Sequence, residues 1–162
     1  MPPAKIPGKT PRDTKPFSDI VRLAIPNKGR IAAPIIDLVE KSGLHLAEAG
    51  EQRRLITKTL DPHVEILFAR PVDIPEYVAT GAADLGITGH DMVIERGSDV
   101  EELLDLQSGR AKLVLAVHED SSITQATQLA GLKIATEFPA ITRSYFKKQN
   151  IDVDVVLVGG AC

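Results

Sequence analysis

The chain has 162 residues, enough for one domain with a good core or for two small lobes. Hydrophobic residues make up 43% and charged residues 25%, the range of ordinary globular proteins, and the net charge of -3 leaves no nucleic-acid footprint on the chain as a whole. No apolar run is long enough to span a bilayer, the single cysteine (Cys162) forbids an internal disulfide, and His45, His63, His90 and His118 stand too far apart for a structural zinc. The basic N-terminus has no hydrophobic segment behind it, which argues against a secretory signal. The expectation is a cytoplasmic protein with neither nucleic acid nor membrane as a partner.

Residues 1–19 carry five prolines and four basic residues and almost nothing apolar, and a disordered tail is expected there. Ile20 to Ile25 is a β-branched apolar run ended by Pro26, the pattern of a buried strand. Asn27-Lys28-Gly29-Arg30 is a basic glycine loop. Ile31, Ile35, Leu38 and Val39 then recur at helical spacing, with Pro34 tolerable in the first turn and Gly43 as the stop. Arg54 to Thr57 and Val64 to Ala69 read as strands about the Asp61-Pro62 turn, joined too closely for a helical crossover and therefore antiparallel. Asp73 and Glu76 form a capping-box-like start for a helix Ile74 to Thr80.

The stretch Gly81 to Asp91 organises the rest. Gly81 suits a helix stop, Leu85 to Ile87 a short buried strand, and Thr88-Gly89-His90-Asp91 a turn into the helix Asp91 to Arg96. A strand that turns straight into a helix aims free backbone N–H groups above the sheet edge, a place suited to an anion. The alternative is an ordinary strand-to-helix turn with Asp91 as N-cap. Leu103 to Leu106 is a candidate strand and 107–110 a polar break. Beyond it come a strand Lys112 to Val117, a helix Thr124 to Leu129, a strand Lys133 to Ala135, a helix Ala140 to Gln149 and a strand Val153 to Val158. That order demands a parallel sheet, so the class is α/β, with a first lobe over 20–107 and a second over 108–162.

Ligands of open parallel sheets lie outside the carboxyl ends of the strands. Those exits hold Lys28, Arg30, Arg70 and the Thr88 to Asp91 turn in the first lobe. In the second lobe they hold His118 to Ser122, Thr136 to Arg143 and Gly159-Gly160. Cations, glycines and hydroxyls suit a phosphorylated small molecule, although any solvated loop also attracts Lys and Arg, and neither a Walker loop nor Gly-x-Gly-x-x-Gly is present.

Several motifs carry a resemblance. Ile25-Pro26-Asn27-Lys28-Gly29-Arg30, Arg54-Leu55-Ile56, 68–75 (Phe-Ala-Arg-Pro-Val-Asp-Ile-Pro) and Asp84-Leu85-Gly86-Ile87-Thr88-Gly89 resemble the first lobe of ATP phosphoribosyltransferases. Residues 133–139 with Thr142, Arg143, Tyr145 and Phe146, followed by 156–161, resemble the start of the second. The resemblance implies a two-lobed fold like that of periplasmic binding proteins, here with an incomplete second lobe. It implies transfer of phosphoribosyl from phosphoribosyl diphosphate to N1 of ATP with Mg2+ and release of pyrophosphate, the first step of histidine biosynthesis. Lys28, Gly29, Arg30 and Arg70 would hold phosphate or nucleotide groups. Thr88, Gly89 and Asp91 would line the nucleotide side, and Glu137 and Arg143 would face it from the second lobe.

Each of these residues has a plainer reading. Arg70 could pair with Asp73, Arg143 could be solvated, and Asp84 could bond structural backbone. His90 and His118 are general-acid candidates that this chemistry does not need. The family's phosphoribosyl-diphosphate loop, an acidic residue and a Thr-Gly-x-Thr run, does not occur in these residues. The expectation is therefore a fragment, or a chain completed by a homo-oligomer or a complementing subunit. A non-catalytic binding module of the same fold is the alternative.

Overall fold

The structure is a computed structural model that describes residues 19–47 and 55–159. Apart from Asp19, the expected tail lies outside the described residues, as does Arg54. The elements are β1 (Val21–Pro26), α1 (Ala32–Lys41), β2 (Ile56–Lys58), β3 (Val64–Ala69), α2 (Ile74–Ala79), β4 (Leu85–Gly86), α3 (His90–Arg96), β5 (Lys133–Thr136), α4 (Pro139–Lys148) and β6 (Asp154–Leu157).

β1 to β4 form one sheet in the order β2-β3-β1-β4, with β1 parallel to both β3 and β4 and β2 antiparallel to β3. Alternation along β1 and β3 sends their side chains to two cores. Leu23, Ile25, Ile66 and Phe68 pack with Ile35 and Val39 of α1 on one face. On the other, Ala24, Leu67 and Ala69 pack with Ile74 of α2 and Ala83. Ile25 and Ile66 are fully buried, each stabilising the sheet by roughly 1.5–3 kcal/mol. The α2 face is lined with small residues because the helix lies close. A Cβ on Gly86 would sit 2.6 Å from Ile74 Cγ2 and 3.0 Å from Val78 Cγ2, so only glycine fits β4 beneath α2.

β5 and β6 form a separate two-stranded parallel sheet connected through α4, whose Phe146 is buried and meets Tyr145 edge-on, with ring centroids 5.3 Å apart. The expected βαβαβ order is thus realised only in its last βαβ unit. Thr124 to Leu129, expected as an α-helix, is a single 3-10 turn at Ala126–Leu129. Leu103 to Leu106 and Lys112 to Val117, expected as strands, pair with no strand among the described residues, and every residue from 101 to 120 is exposed. A β-branched apolar run prepares a strand, but a ladder needs a neighbour to accept its N–H groups.

Two cap expectations also change. Asp73 makes no cap hydrogen bond to α2, because its carboxylate is taken up by two arginines. α3 begins at His90 with Gly89 at the N-cap, and Asp91 Oδ1 accepts the N–H of the next residue, Met92, at 3.0 Å.

Candidate functional site

Parallel pairing sets the geometry of the site. Pro26 at the end of β1 lies opposite Ala69 at the end of β3, and Ala24 lies opposite Gly86 of β4, so three chain exits leave the same edge of the sheet. Lys28, Gly29 and Arg30 follow β1, Arg70 follows β3, and Thr88, Gly89 and Asp91 follow β4. The exits are tied to one another: Asn27 donates its N–H to Ala69 O at 2.8 Å, and Thr88 Oγ1 donates to Pro71 O at 2.8 Å. Gly29 has φ +91°, which turns the basic loop back so that Ala32 N–H reaches Gly29 O and α1 can begin. At the third exit, a Cβ on Gly89 would collide with the Asp91 carboxylate.

Arg70 is exposed, and its Nε donates to Asp73 Oδ2 at 2.6 Å. The ion pair read as the plainer alternative is therefore present, and this bond to Asp73 raises the Arg70 pKa above its ordinary value. Asp73 Oδ1 in turn accepts from Arg96 Nη2 at 3.1 Å, while Arg96 Nε donates to Val72 O at 3.0 Å. Asp84 accepts the backbone N–H of Arg22 at 2.8 Å, the structural role expected of it. His90, at the start of α3, has Nδ1 2.6 Å from Glu102 Oε1, and His118 lies beside Asp120, all four residues being exposed.

On the second sheet, Glu137 leaves the end of β5 and is exposed. Arg143 lies in α4 with Nη2 3.4 Å from Val155 O of its own βαβ unit. Thr136 Oγ1 accepts the Phe138 N–H at 3.0 Å and lies 3.3 Å from Thr142 Oγ1, which closes the turn into α4.

The residue that sequence reasoning missed is Glu95. Its carboxylate accepts the N–H groups of Ala140 and Ile141, each at 2.9 Å, and so caps α4 from α3. One signal was available in the sequence. Phe138-Pro139-Ala140-Ile141 supplies no Ser, Thr, Asp or Asn to cap its own helix, and α4 has no acidic residue in its first turn. Among the described residues no three His, Cys, Asp or Glu side chains gather to hold a metal ion, and no helix is long and apolar enough to cross a membrane.

This arrangement offers cations and backbone donors along one sheet edge, a combination that suits phosphate oxygens. The model of the HisG family, ATP phosphoribosyltransferase, matches residues 70–162. An ATP phosphoribosyltransferase of Methanosarcina mazei is 56% identical over 143 residues, 88% of this chain and 50% of that protein. One of Methanothermobacter thermautotrophicus is 51% identical over 142 residues, 87% of this chain and 49% of that protein. The chain thus spans about half the length of the curated relatives it matches. The fold is similar to a chain of the ATP phosphoribosyl transferase (HisG:HisZ) complex from Thermotoga maritima, with a TM-score of 0.69 at 24% identity over 88% of this chain and 66% of that one. With more than half of its residues inside the family model, the chain belongs to the ATP phosphoribosyltransferase family.

Proposed function

We propose that this chain supplies the nucleotide-holding half of an ATP phosphoribosyltransferase. The observation that carries the reading is the shared edge: parallel β1, β3 and β4 deliver Lys28 and Arg30, Arg70, and the Thr88-Gly89 turn side by side. In the reaction, the lone pair on adenine N1 of ATP forms a bond to the anomeric carbon of phosphoribosyl diphosphate. The carbon–oxygen bond to the diphosphate breaks, and its electrons leave with pyrophosphate. N1 needs no prior deprotonation, so the barrier falls through alignment and through stabilisation of leaving-group charge. Lys28, Arg30 and Arg70 bind phosphate oxygens, while Gly89 and Asp91 border the purine side. Magnesium belongs to the diphosphate substrate, and the cations of this edge take the oxygens that it leaves.

The two sheets are read as two lobes, 20–107 and 108–162, of a periplasmic-binding-protein-like fold. Glu137 and Arg143 contribute from the second lobe. A cytoplasmic location and assembly with further copies or a complementing subunit accompany the proposal, and the two-protein composition of the Thermotoga maritima complex supports the latter. The test is pyrophosphate release from ATP, phosphoribosyl diphosphate and magnesium, alone and with the other half of a relative added. Calorimetry with ATP, AMP and small organic anions accompanies it. Purine-dependent binding is expected; preference for an anion without a purine overturns the reading. Binding without turnover by the chain alone is the second reading, favoured by the twenty exposed residues of 101–120.

A further inference from the structure

Asp73 stands at the N-cap position of α2 and makes no cap hydrogen bond, although an aspartate there ordinarily accepts one from the free N–H groups of the helix. Its side chain is only 13% exposed and both oxygens are committed, Oδ2 to Arg70 Nε and Oδ1 to Arg96 Nη2. A local preference set aside at the border of a candidate site marks a position held for another purpose.

Three bonds fix the turn that carries this carboxylate. The Asp73 N–H donates to Arg70 O at 2.9 Å, which closes the turn after β3 and brings Asp73 back to the Arg70 side chain. From α3, Arg96 donates from Nε to Val72 O and from Nη2 to Asp73 Oδ1, so one rigid guanidinium plane grips two consecutive residues. Just past α3, Ser98 Oγ donates to Glu76 Oε2 at 3.1 Å and ties the same end to α2. Arg96 is the last residue of α3, at the far end from the Thr88-Gly89 turn. A cation in the last turn of a helix is favourable there without any partner, yet both bonds of Arg96 reach across to 72 and 73.

Arg70 gives up only Nε to Asp73. Its side chain is 63% exposed, and its two terminal nitrogens have no partner among the described residues. Those nitrogens are the fork that grips phosphate oxygens in pairs. A free arginine loses rotamer freedom when it binds, whereas one already held at Nε has lost part of it beforehand.

We infer that Arg96 is a positioning residue for the phosphate contact at this edge: through Asp73 it holds the Arg70 side chain by Nε and leaves the terminal fork free for an anion. The identity of the anion rests on the functional reading above; the Arg96-Asp73-Arg70 relay does not.

The experiment uses the 162-residue chain and makes two measurements. Nitrogen-15 relaxation without ligand is expected to show the Arg70 Nε–H group as rigid as the β3 backbone, and Arg96→Ala to release it. Calorimetry with ATP, inorganic pyrophosphate and adenosine is expected to show both anions weakened about threefold by Arg96→Ala, with adenosine unchanged. Arg96→Lys keeps the charge but cannot make both bonds, and should match Arg96→Ala. In an Arg70→Ala background, Arg96→Ala should have no further effect, because the two residues act as one unit. Protection of β1 and β3 amides reports folding; if Arg96→Ala fails to fold, Arg96→Lys and relaxation in the parent decide. The inference is overturned by a mobile Arg70 Nε in the parent, by lysine restoring binding, by equal losses of ATP and adenosine, or by an Arg96→Ala loss that persists without Arg70. ATP binding that does not depend on Arg96 overturns this inference alone. Pyrophosphate binding that depends on Arg96, with no binding of ATP or adenosine, overturns the nucleotide reading alone. Binding of neither anion overturns both.

Discussion

Glu95 in α3 accepts the backbone N–H of Ala140 at 2.9 Å, and with its second oxygen that of Ile141, so a residue of the first half supplies the N-terminal cap of the second half's helix. The helix start favours a negative group there, and the two bonds are charge-assisted. Glu95→Ala is expected to destabilise the protein by about 1–2 kcal/mol, as loss of an N-cap does elsewhere. Amide exchange at Ala140 and Ile141 should accelerate, with Glu95→Gln intermediate. Unchanged exchange at these two amides would show that the cap is not formed in solution.

Gly86 lies under α2 with no room for a methyl group, since Ile74, the side chain it would meet, is itself buried. Gly86→Ala should therefore cost about 1–3 kcal/mol through overpacking, measured as a lowered urea midpoint with unchanged slope.

Thr57 Oγ1 is buried without a hydrogen-bond partner among the described residues. Valine keeps the branch that β2 favours and removes the unmet hydroxyl. Thr57→Val is expected to raise stability by roughly 1 kcal/mol in thermal or urea unfolding.

Asp73 holds Arg70 at the edge and Arg96 in α3. Arg70→Ala removes an exposed cation and should leave the unfolding midpoint almost unmoved, while weakening ATP binding roughly tenfold by calorimetry. Asp73→Ala removes the part-buried carboxylate that ties Arg96 of α3 to the start of α2 and should lower the unfolding midpoint measurably, although both guanidinium groups stay in contact with water. Equal effects of the two substitutions on unfolding would refute this division of roles.

The Glu40 carboxylate accepts the Leu46 N–H at 3.0 Å and meets His45 at 2.8 Å, and these bonds, the backbone one first, lower its pKa below 4.5. A depressed carboxyl adds stability above its unfolded pKa, and that stability is lost as pH falls through the folded value. Unfolding midpoints taken downwards from pH 5 should therefore decline in the parent more than in Glu40→Gln, which carries no titrating group at this position.

The strands and helices of the first half were legible because their signals are local. Ile20 to Ile25 and Val64 to Ala69 are apolar runs bounded by turn residues, α1 repeats at helical spacing, and the short link between β2 and β3 permits only antiparallel pairing. The basic loop at Lys28, the Arg70 exit and the Thr88 turn could be named as candidates from the same pattern. Their common edge followed once β1, β3 and β4 were parallel.

What the sequence by itself determined was the α/β class, the elements from β1 to α3 and the family motifs, all of which depend on neighbours a few residues apart. The tertiary structure alone decided that Asp73 serves two arginines instead of capping its helix, and that Glu95 caps a helix 45 residues downstream. It also decided that the Leu103 and Lys112 runs pair with no strand among the described residues. A strand, a cap and an ion pair each require a second group in space, and the identity of that group is written nowhere near the residue that needs it.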